Sequence, residues 1–258
     1  PKNLIIIDNV LNETHLIEFS LNKIKSKTKL NKIENILLLP LKKNRKILSN
    51  KTSKFKNHMS KESFFTKVNN LKKEIVNGEI FQAVLSQRFS AIYKIDPFNF
   101  YRALRSINPS PYLVFLNLKK YQIICSSPET MINVKNNKVT LRPIAGTRRR
   151  GKNNEEDIRL KNDLLSDKKE LAEHLMLVDL GRNDVGQISK KGTVKVTEKN
   201  IIEYYSHVMH IVSNVTGELK NNLTPMDVLY AGLPAGTVSG APKIRALELL
   251  EEQEDINR

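Results

Sequence analysis

The 258-residue chain has a single cysteine, Cys125, and no apolar run long enough to cross a membrane. One cysteine excludes an intramolecular disulfide and a cysteine-based zinc cluster. It fits a protein of the reducing cytoplasm. A membrane-spanning helix needs about 20 consecutive apolar residues, so we expect no membrane partner. No signal peptide is recognisable at the start, and because the chain does not begin with methionine, we expect it to continue upstream.

Acidic residues are few beside the basic ones: 27 Asp and Glu stand against 43 Lys and Arg, which gives a formal net charge of +16. Such an excess is typical of nucleic-acid binding. The lysines, however, are spread over the whole chain among Asn and Ile, without stacking aromatics or a helix-turn-helix motif. We therefore interpret the charge as a solvated basic surface and expect no nucleic-acid partner.

Three segments differ in composition. Residues 1–41 contain apolar runs of strand length, among them 36–39, and are expected to be a strand-rich N-terminal segment. Residues 42–60 are rich in Lys, Asn and Ser and are predicted to be a linker or loop. Residues 61–258 alternate between helical and strand periodicity and are expected to form one domain with the apolar content for a core.

Antiparallel hairpins and amphipathic helices follow one another in this domain. The helix that begins at Asp167 is expected to bury Leu171, Leu175, Val178 and Val185. Helices are predicted over residues 60–78, 97–107, from 167, from 224 and over 243–252, and strands over 81–89, 112–118, 121–125, 131–134, 138–141, 193–197 and 206–215.

One stretch, residues 141–151 (LRPIAGTRRRG), combines a strand end, two glycines and three consecutive arginines. A sharp turn beside positive charge suits a small polyanion, and Arg148–Arg150 are the first candidates to bind it. Glu170 and Glu173 lie three residues apart on the following helix and therefore project from one face. Two carboxylates suit Mg²⁺, which often keeps several waters, although such a pair also occurs on solvated helix faces.

Seven motifs that occur in order make the interpretation specific. Together they resemble the chorismate-utilising enzymes, and among these component I of the anthranilate synthases; the resemblance is dense from about residue 60 and faint before it. The motifs are residues 78–88 (GEIFQAVLSQR), 108–112 (NPSPY), 127–129 (SPE), 142–148 (RPIAGTR), 173–184 (EHLMLVDLGRND), 207–210 (HVMH) and 235–243 (AGTVSGAPK).

Two positions distinguish the branches of this family. Isochorismate and salicylate synthases carry Lys where this chain has Gln82, and use it to activate water. Aminodeoxychorismate synthases with a covalent step carry a nucleophilic Lys where this chain has Ala145. Both positions favour the anthranilate branch, in which ammonia attacks. The alternatives are aminodeoxychorismate synthase component I and an inactive remnant with a basic nucleic-acid-binding surface.

The resemblance also implies where substrate and metal bind. Chorismate would contact Gly146 and Thr147, which moves the arginines to the rim. Glu173, with Glu170 close by, would hold Mg²⁺ against the ring carboxylate.

Three residues receive catalytic roles from the resemblance. Glu129 would act as general acid on the departing C4 hydroxyl, and it needs a pKa raised by burial to stay protonated. His210 would serve the elimination of pyruvate, although a histidine in a strand is more often structural. Thr237 would lie near the reacting enolpyruvyl group. Ammonia would come from a glutamine amidotransferase subunit, component II.

Other implications concern regulation and completeness. Pro111, Tyr112 and Leu113 match a tryptophan feedback site whose usual N-terminal partner segment is absent here. The implied fold is α+β, two packed antiparallel sheets with outer helices, incomplete at both ends. A second Glu pair of the family, expected after residue 258, is missing from this chain. We therefore expect little activity from the 258 residues alone.

Overall fold

The computed structural model describes residues 2–19, 27–40 and 54–255. The chain divides into two compact units, Pro1–Ile47 and Leu48–Arg258. The predicted linker at 42–60 falls largely on residues 42–53, which lie outside the described residues, so it stays a prediction. No helix in the described ranges is long and apolar enough to cross a bilayer.

The first unit contains a β-hairpin and a helix. Strands β1 (Asn3–Asp8) and β2 (Glu13–Glu18) pair antiparallel over their whole length. The Asp8 carboxylate closes the turn by accepting the N–H groups of Val10 and Leu11 at 2.8 and 2.9 Å. Both strands were expected from their apolar content.

The third predicted strand of this unit, at residues 36–39, is wrong, because Ile36 to Leu38 form the end of helix α1 (Lys27–Leu38). A run of four apolar residues does not distinguish a strand from a helix. The spacing of Leu30, Ile33 and Leu37 at three and four residues indicates the helix, and the run hides that spacing.

The second unit alternates helices with short antiparallel strands. Its elements are β3 (Lys56–Asn57), α2 (Lys61–Val76), β4 (Gln82–Ala83), β5 (Phe89–Ser90), α3 (Pro97–Ile107), β6 (Tyr112–Asn117), β7 (Gln122–Ser127), β8 (Asn133–Lys135), β9 (Lys138–Leu141), β10 (Ile144–Arg149), α4 (Asn154–Ser166), α5 (Lys168–Ile188), β11 (Lys195–Tyr204), β12 (Val208–Glu218), α6 (Pro225–Gly232), a 3₁₀ turn (Gly236–Val238), β13 (Gly240–Ala241) and α7 (Lys243–Gln253).

Short polar side chains begin the helices as their sequence indicates. A side-chain oxygen at the N-cap accepts backbone N–H groups that the first helical turn leaves without partners. Thr224 and Asp227 form a reciprocal capping box at α6. The other helices of this unit with a side-chain cap begin at Ser60, Asp96, Asn153 and Asp167.

A five-stranded antiparallel sheet supports the second unit. Strand β12 pairs with β11 along one edge and with β9 and β10 along the other, and β8 extends the sheet from β9. Helix α5 packs on this sheet, where Val178, Val185 and Ile188 contact the fully buried Val139 and Val215. Among the described residues the remaining strands form antiparallel pairs, β1–β2, β3–β5, β4–β13 and β6–β7.

Both predicted hairpins of this unit are confirmed. Asn136 and Asn137 join β8 to β9 with φ angles of +51° and +58°. Asparagine tolerates this left-handed geometry better than most residues, and two such residues fit the twist of a tight hairpin. Strands β6 and β7 pair over six residues each, with Lys119 at φ +67° in the turn between them.

One helix of this unit was missed, and two predictions for it need correction. Helix α4 was not predicted, although Asn153 caps it and three acidic residues fill its first turn. Leu175 is 48% exposed instead of buried, because it lies on the face of α5 turned away from the sheet, whereas His174 in the same turn is buried and bonds to Ser213 on β12. The strand predicted over 81–89 reduces to β4 and β5, and Phe81 is 76% exposed, so the alternation there does not mark one buried face.

Candidate active site

A glycine bulge shapes the centre of the site. Strand β10 pairs with β12 through Ala145 and Thr147, and the register shifts between them at Gly146. Gly146 has φ +74°, and a Cβ there would lie 3.0 Å from Cδ1 of Ile211 and 3.3 Å from Oε2 of Glu170. A side chain is disfavoured both by the left-handed backbone and by these close neighbours. The strand backbone therefore passes directly beside the Glu170 carboxylate.

His210 lies opposite Thr147 in the sheet and bonds to the bulge. Its Nδ1 is 3.0 Å from Oγ1 of Thr147 and 3.2 Å from the carbonyl oxygen of Gly146. A carbonyl oxygen only accepts hydrogen bonds, so in the neutral ring Nδ1 carries the proton and Nε2 keeps a free lone pair. The structure thus brings Gly146, Thr147 and His210 together, as a shared site requires.

Glu129 and Thr237 form the second group. Thr237 Oγ1 donates to Oε2 and Oε1 of Glu129 at 3.2 and 3.4 Å. Burial raises the pKa of Glu129, and the bond from Thr237 opposes that rise. The backbone N–H of Glu129 donates to Oγ of Ser127 at 3.3 Å, which holds the loop after β7. A carboxyl group with a raised pKa and a hydroxyl neighbour is suited to proton donation.

A small cavity lies next to this pair, against helix α5. Its wall includes Glu129, Thr237, Leu177, Leu180 and Asp184. Asp184 is buried there and accepts a 2.7 Å bond from Nζ of Lys243, the first residue of α7. Sequence reasoning placed Asp184 on the face of α5 that carries Glu170 but missed its partner. The two residues are 59 positions apart, and no local pattern connects them.

Glu170 and Glu173 lie on α5, the helix predicted to carry them, and both are half-buried. Glu170 is 3.6 Å from Nη1 of Arg148 and adjoins the Gly146 bulge. Within the described residues no group of three His, Cys, Asp or Glu side chains is arranged to hold a metal ion. Two half-buried carboxylates from one helix fit a hard cation such as Mg²⁺, which takes one or two carboxylates and keeps several waters.

The three arginines after the bulge are all engaged by carboxylates, so they do not form the free anion site that their charge first indicated. Each of them pairs with α4 or with the start of α5, and the ion pairs order these helices against β10. The shortest contacts are Arg148 to Asp163 at 2.6 Å and to Asp167 at 2.9 Å, Arg149 to Glu156 at 2.5 Å, and Arg150 to Asp157 at 2.6 Å.

Tyr205 borders the site and was not predicted. Its ring packs edge-on against His210, with centroids 5.4 Å apart and an interplanar angle of 68°. Its hydroxyl donates to Oε2 of Glu203 at 2.9 Å. Tyr205 directly follows β11, and the register that sets this strand against β12 is not visible in residues 203–205 themselves.

Of the predicted inhibitor-binding residues, Tyr112 and Leu113 begin β6 and Pro111 directly precedes it. The Tyr112 hydroxyl shares a 2.5 Å hydrogen bond with Oγ1 of Thr130, the residue after Glu129. Leu113 pairs with Ser126 on β7. The three residues therefore lie at one end of the β6–β7 hairpin, and Glu129 follows the other strand of that hairpin. Their role stays a prediction.

Comparison with known proteins gives consistent matches. Residues 1–258 match the protein family described as chorismate binding enzyme. Over 204 residues the chain is 54% identical to anthranilate synthase component 1 of Pseudomonas aeruginosa, which covers 79% of this chain and 42% of that protein. The chain therefore spans about two fifths of the length of that relative.

Solved structures support the fold. Anthranilate synthase component I from Streptococcus pneumoniae superposes with a TM-score of 0.88 and 45% identity, over 98% of this chain and 57% of that one. The menaquinone-specific isochorismate synthase of Escherichia coli superposes with a TM-score of 0.69 at 19% identity, over 89% of this chain and 53% of that one, and shows the fold alone. The predicted α+β fold of chorismate-utilising enzymes is thereby confirmed.

Proposed function

Because this chain belongs to the family of chorismate binding enzymes, we propose that it forms the chorismate-binding part of an anthranilate synthase component I. The reaction would convert chorismate and ammonia to anthranilate and pyruvate, as a lyase of tryptophan biosynthesis. The observation that carries the proposal is the half-buried Glu129, held by Thr237 and kept prone to protonation by burial. The single cysteine fits a cytoplasmic enzyme.

Two residues support amination over the other reactions of the family. Gln82 lies on β4, paired with Ala241, and its amide cannot act as the base that activates water. Ala145 lies on β10 directly before the bulge and offers no nucleophile. An attack by free ammonia needs neither group.

The two groups of site residues would act in different steps of the reaction. Thr147 and the Gly146 bulge would bind chorismate. As ammonia adds at C2, Glu129 would give its proton to the C4 hydroxyl, which leaves as water. In the second step Nε2 of His210, which holds a free lone pair, would accept the proton lost from C2 while the bond from the ring to the enolpyruvyl oxygen breaks and the ring becomes aromatic. The departing enolpyruvate takes up a proton at its methylene carbon and becomes pyruvate. Thr237 would keep the Glu129 carboxyl oriented in the first step.

Glu170 and Glu173 would hold Mg²⁺. When bound, the ion supplies positive charge for the ring carboxylate and draws electrons from the ring. The Glu170 carboxylate lies beside Gly146, so metal and substrate would meet at the bulge.

Ammonia would be supplied by a glutamine amidotransferase partner, component II. A glutaminase needs an activated nucleophile such as a thiolate. The one cysteine of this chain, Cys125, is half-buried on β7. We propose that this chain receives ammonia and does not produce it.

The test is product identification. The 258-residue chain and the longest open reading frame that contains it are each incubated with chorismate, ammonium and Mg²⁺. Fluorescence of 2-aminobenzoate and release of pyruvate in equal amounts are expected from the longer polypeptide. A 4-amino product would assign the aminodeoxychorismate branch instead. Absence of chorismate consumption together with salt-sensitive DNA binding would support the non-catalytic alternative.

A further inference from the structure

Residues beside the proposed site hold the His210 ring in place, although they form no hydrogen bond with it. Glu203 lies directly opposite His210 in the pairing of β11 with β12. Tyr205 follows two residues later and turns its ring edge-on to the imidazole at 5.4 Å. An edge-to-face aromatic contact has a preferred geometry and restricts ring rotation. His210 is thus bonded at Nδ1 by the bulge and packed on its side by Tyr205.

The Tyr205 ring is itself anchored from two strands. Its hydroxyl donates to one carboxylate oxygen of Glu203 at 2.9 Å, and Nη2 of Arg142 donates to the other oxygen. Arg142 follows β9 and precedes β10, the strand that carries Gly146 and Thr147. The same guanidinium lies 3.6 Å from Oε2 of Glu198, further along β11. The chain Arg142–Glu203–Tyr205 therefore ties both neighbours of β12 to the His210 ring.

Charge and burial keep the phenol in one state. Burial, followed by the bond to Glu203, raises the pKa of Tyr205 to about 12, and Glu129 contributes to this rise. Tyr205 therefore remains a hydrogen-bond donor at any pH at which an enzyme of this kind operates.

We propose that Tyr205, anchored by Glu203 and Arg142, is a positioning residue that fixes the His210 ring for the second step of the reaction. The proposal rests on the proposed function for its kinetic consequence but not for the ring orientation itself. Tyr205 touches His210 and, in this view, does not touch the reacting atoms. Its removal should slow pyruvate elimination selectively and leave amination intact.

The kinetic test compares Tyr205→Leu, Tyr205→Phe and Glu203→Gln in the polypeptide that consumes chorismate. For Tyr205→Leu, anthranilate formation should fall by about 10-fold to 100-fold, the scale of a small misplacement of a catalytic group. Chorismate consumption should remain near wild type, so an aminated, non-aromatic intermediate accumulates. Tyr205→Phe keeps the ring and should lose less, and Glu203→Gln should fall between the two.

Tyr204→Leu is the matched control. Tyr204 is the preceding residue on β11, is 46% exposed and stacks with Arg150 at 5.1 Å, away from His210. Its replacement should leave the ratio of consumption to product unchanged. Equal loss of both rates in Tyr205→Leu, or the same loss in Tyr204→Leu, would overturn the positioning role. A wild-type polypeptide that consumes no chorismate would contradict the proposed function, and the ring orientation would then be decided by spectroscopy.

The spectroscopic test needs no turnover. The chain has five histidines, so ¹⁵N-histidine labelling gives a simple spectrum in which His210→Gln identifies the signal. Wild type and Tyr205→Phe should show a single tautomer protonated at Nδ1, whereas Tyr205→Leu should show exchange or a mixture. A single Nδ1-protonated signal in Tyr205→Leu would overturn the proposal.

Discussion

The three arginines after the bulge differ from the acidic residues of the site in one respect. Each arginine has a close partner of opposite charge within the protein, whereas the acidic residues do not. Arg148, Arg149 and Arg150 each meet an internal carboxylate within 3 Å. Glu129 has a hydroxyl partner, Thr237, and Glu170 has a cation only at 3.6 Å. Charges that the fold itself neutralises have no need of a ligand. The carboxyl groups that lack a close cation are the ones that remain to exchange protons or bind metal.

Asp184 and Glu129 show the same distinction within one cavity. Both Asp184 and Glu129 line it, and burial raises the pKa of each. Only Asp184 has a cation at 2.7 Å. We interpret Asp184 as part of the support of α7 and Glu129 as the chemical group.

The largest expected effect follows from replacing the carboxyl group without a cation. Glu129→Gln should lower the rate of chorismate consumption by about 10²-fold to 10⁴-fold, the usual contribution of a general acid. Unfolding temperature should change little, because an amide still accepts the Thr237 bond without the cost of burying a charge. Steady-state kinetics and calorimetry measure the two effects. An active Glu129→Gln variant would refute the assignment of the acid.

Removing the cation that pairs with Asp184 should instead destabilise the fold. Lys243→Met leaves Asp184 buried without its partner, which costs about 3–5 kcal/mol of unfolding free energy. The loss should shrink as pH falls, because without Lys243 the pKa of Asp184 rises further and the group takes up a proton. Urea denaturation at several pH values measures this. The double variant Asp184→Asn with Lys243→Met should recover part of the stability, and no recovery would contradict a pairwise cause.

Adding one methyl group at the Gly146 bulge of β10 should destabilise the fold. Gly146→Ala should cost about 1–2 kcal/mol for the left-handed backbone, and more because its Cβ would lie 3.0 Å from Ile211. Gly192→Ala is the matched control, since Gly192 has φ +76° but no atom within 4 Å of a Cβ. Chemical denaturation of both variants separates strain from contact. Equal losses would indicate that the contact with Ile211 is relieved without cost.

The smallest expected effect concerns the ion pairs between the three arginines and their carboxylates. The bonds from Arg150 and from the N–H of Gly151 lower the pKa of Asp157. A carboxyl group whose pKa is lowered by folding stabilises the fold at pH values above its unfolded-state pKa. This stability is lost as the pH falls through the folded-state pKa. Asp157→Asn should therefore be less stable than wild type at neutral pH, and the difference should close below about pH 4.

Asp179→Asn provides the comparison for that experiment. Asp179 pairs with Arg182 on the open surface of α5, where both side chains are more than half exposed. Exposed pairs contribute about 0–1 kcal/mol, so its loss should be hardly measurable at any pH. A pH-dependent loss as large as that of Asp157→Asn would mean that burial does not distinguish the two pairs.

Much of the local structure was predictable from the sequence. Ser60, Asp96, Asp167 and Thr224 begin helices where short polar side chains precede amphipathic runs, because capping depends on neighbours within a few residues. The hairpin at Asn136 and Asn137 follows from their tolerance of positive φ. The motifs of the family were sufficient to predict the fold and to select Gly146, Thr147 and His210, which do lie together.

Contacts between distant parts of the chain were decided only by the tertiary structure. The pairing of Asp184 with Lys243 and the bond of Thr237 to Glu129 join residues that are 59 and 108 positions apart. Periodicity reports which face of an element is buried but not what lies against it. The arginine run is the clearest case. Its charge is visible in the sequence, but its partners on α4 and α5 come within reach only when both helices pack beside β10.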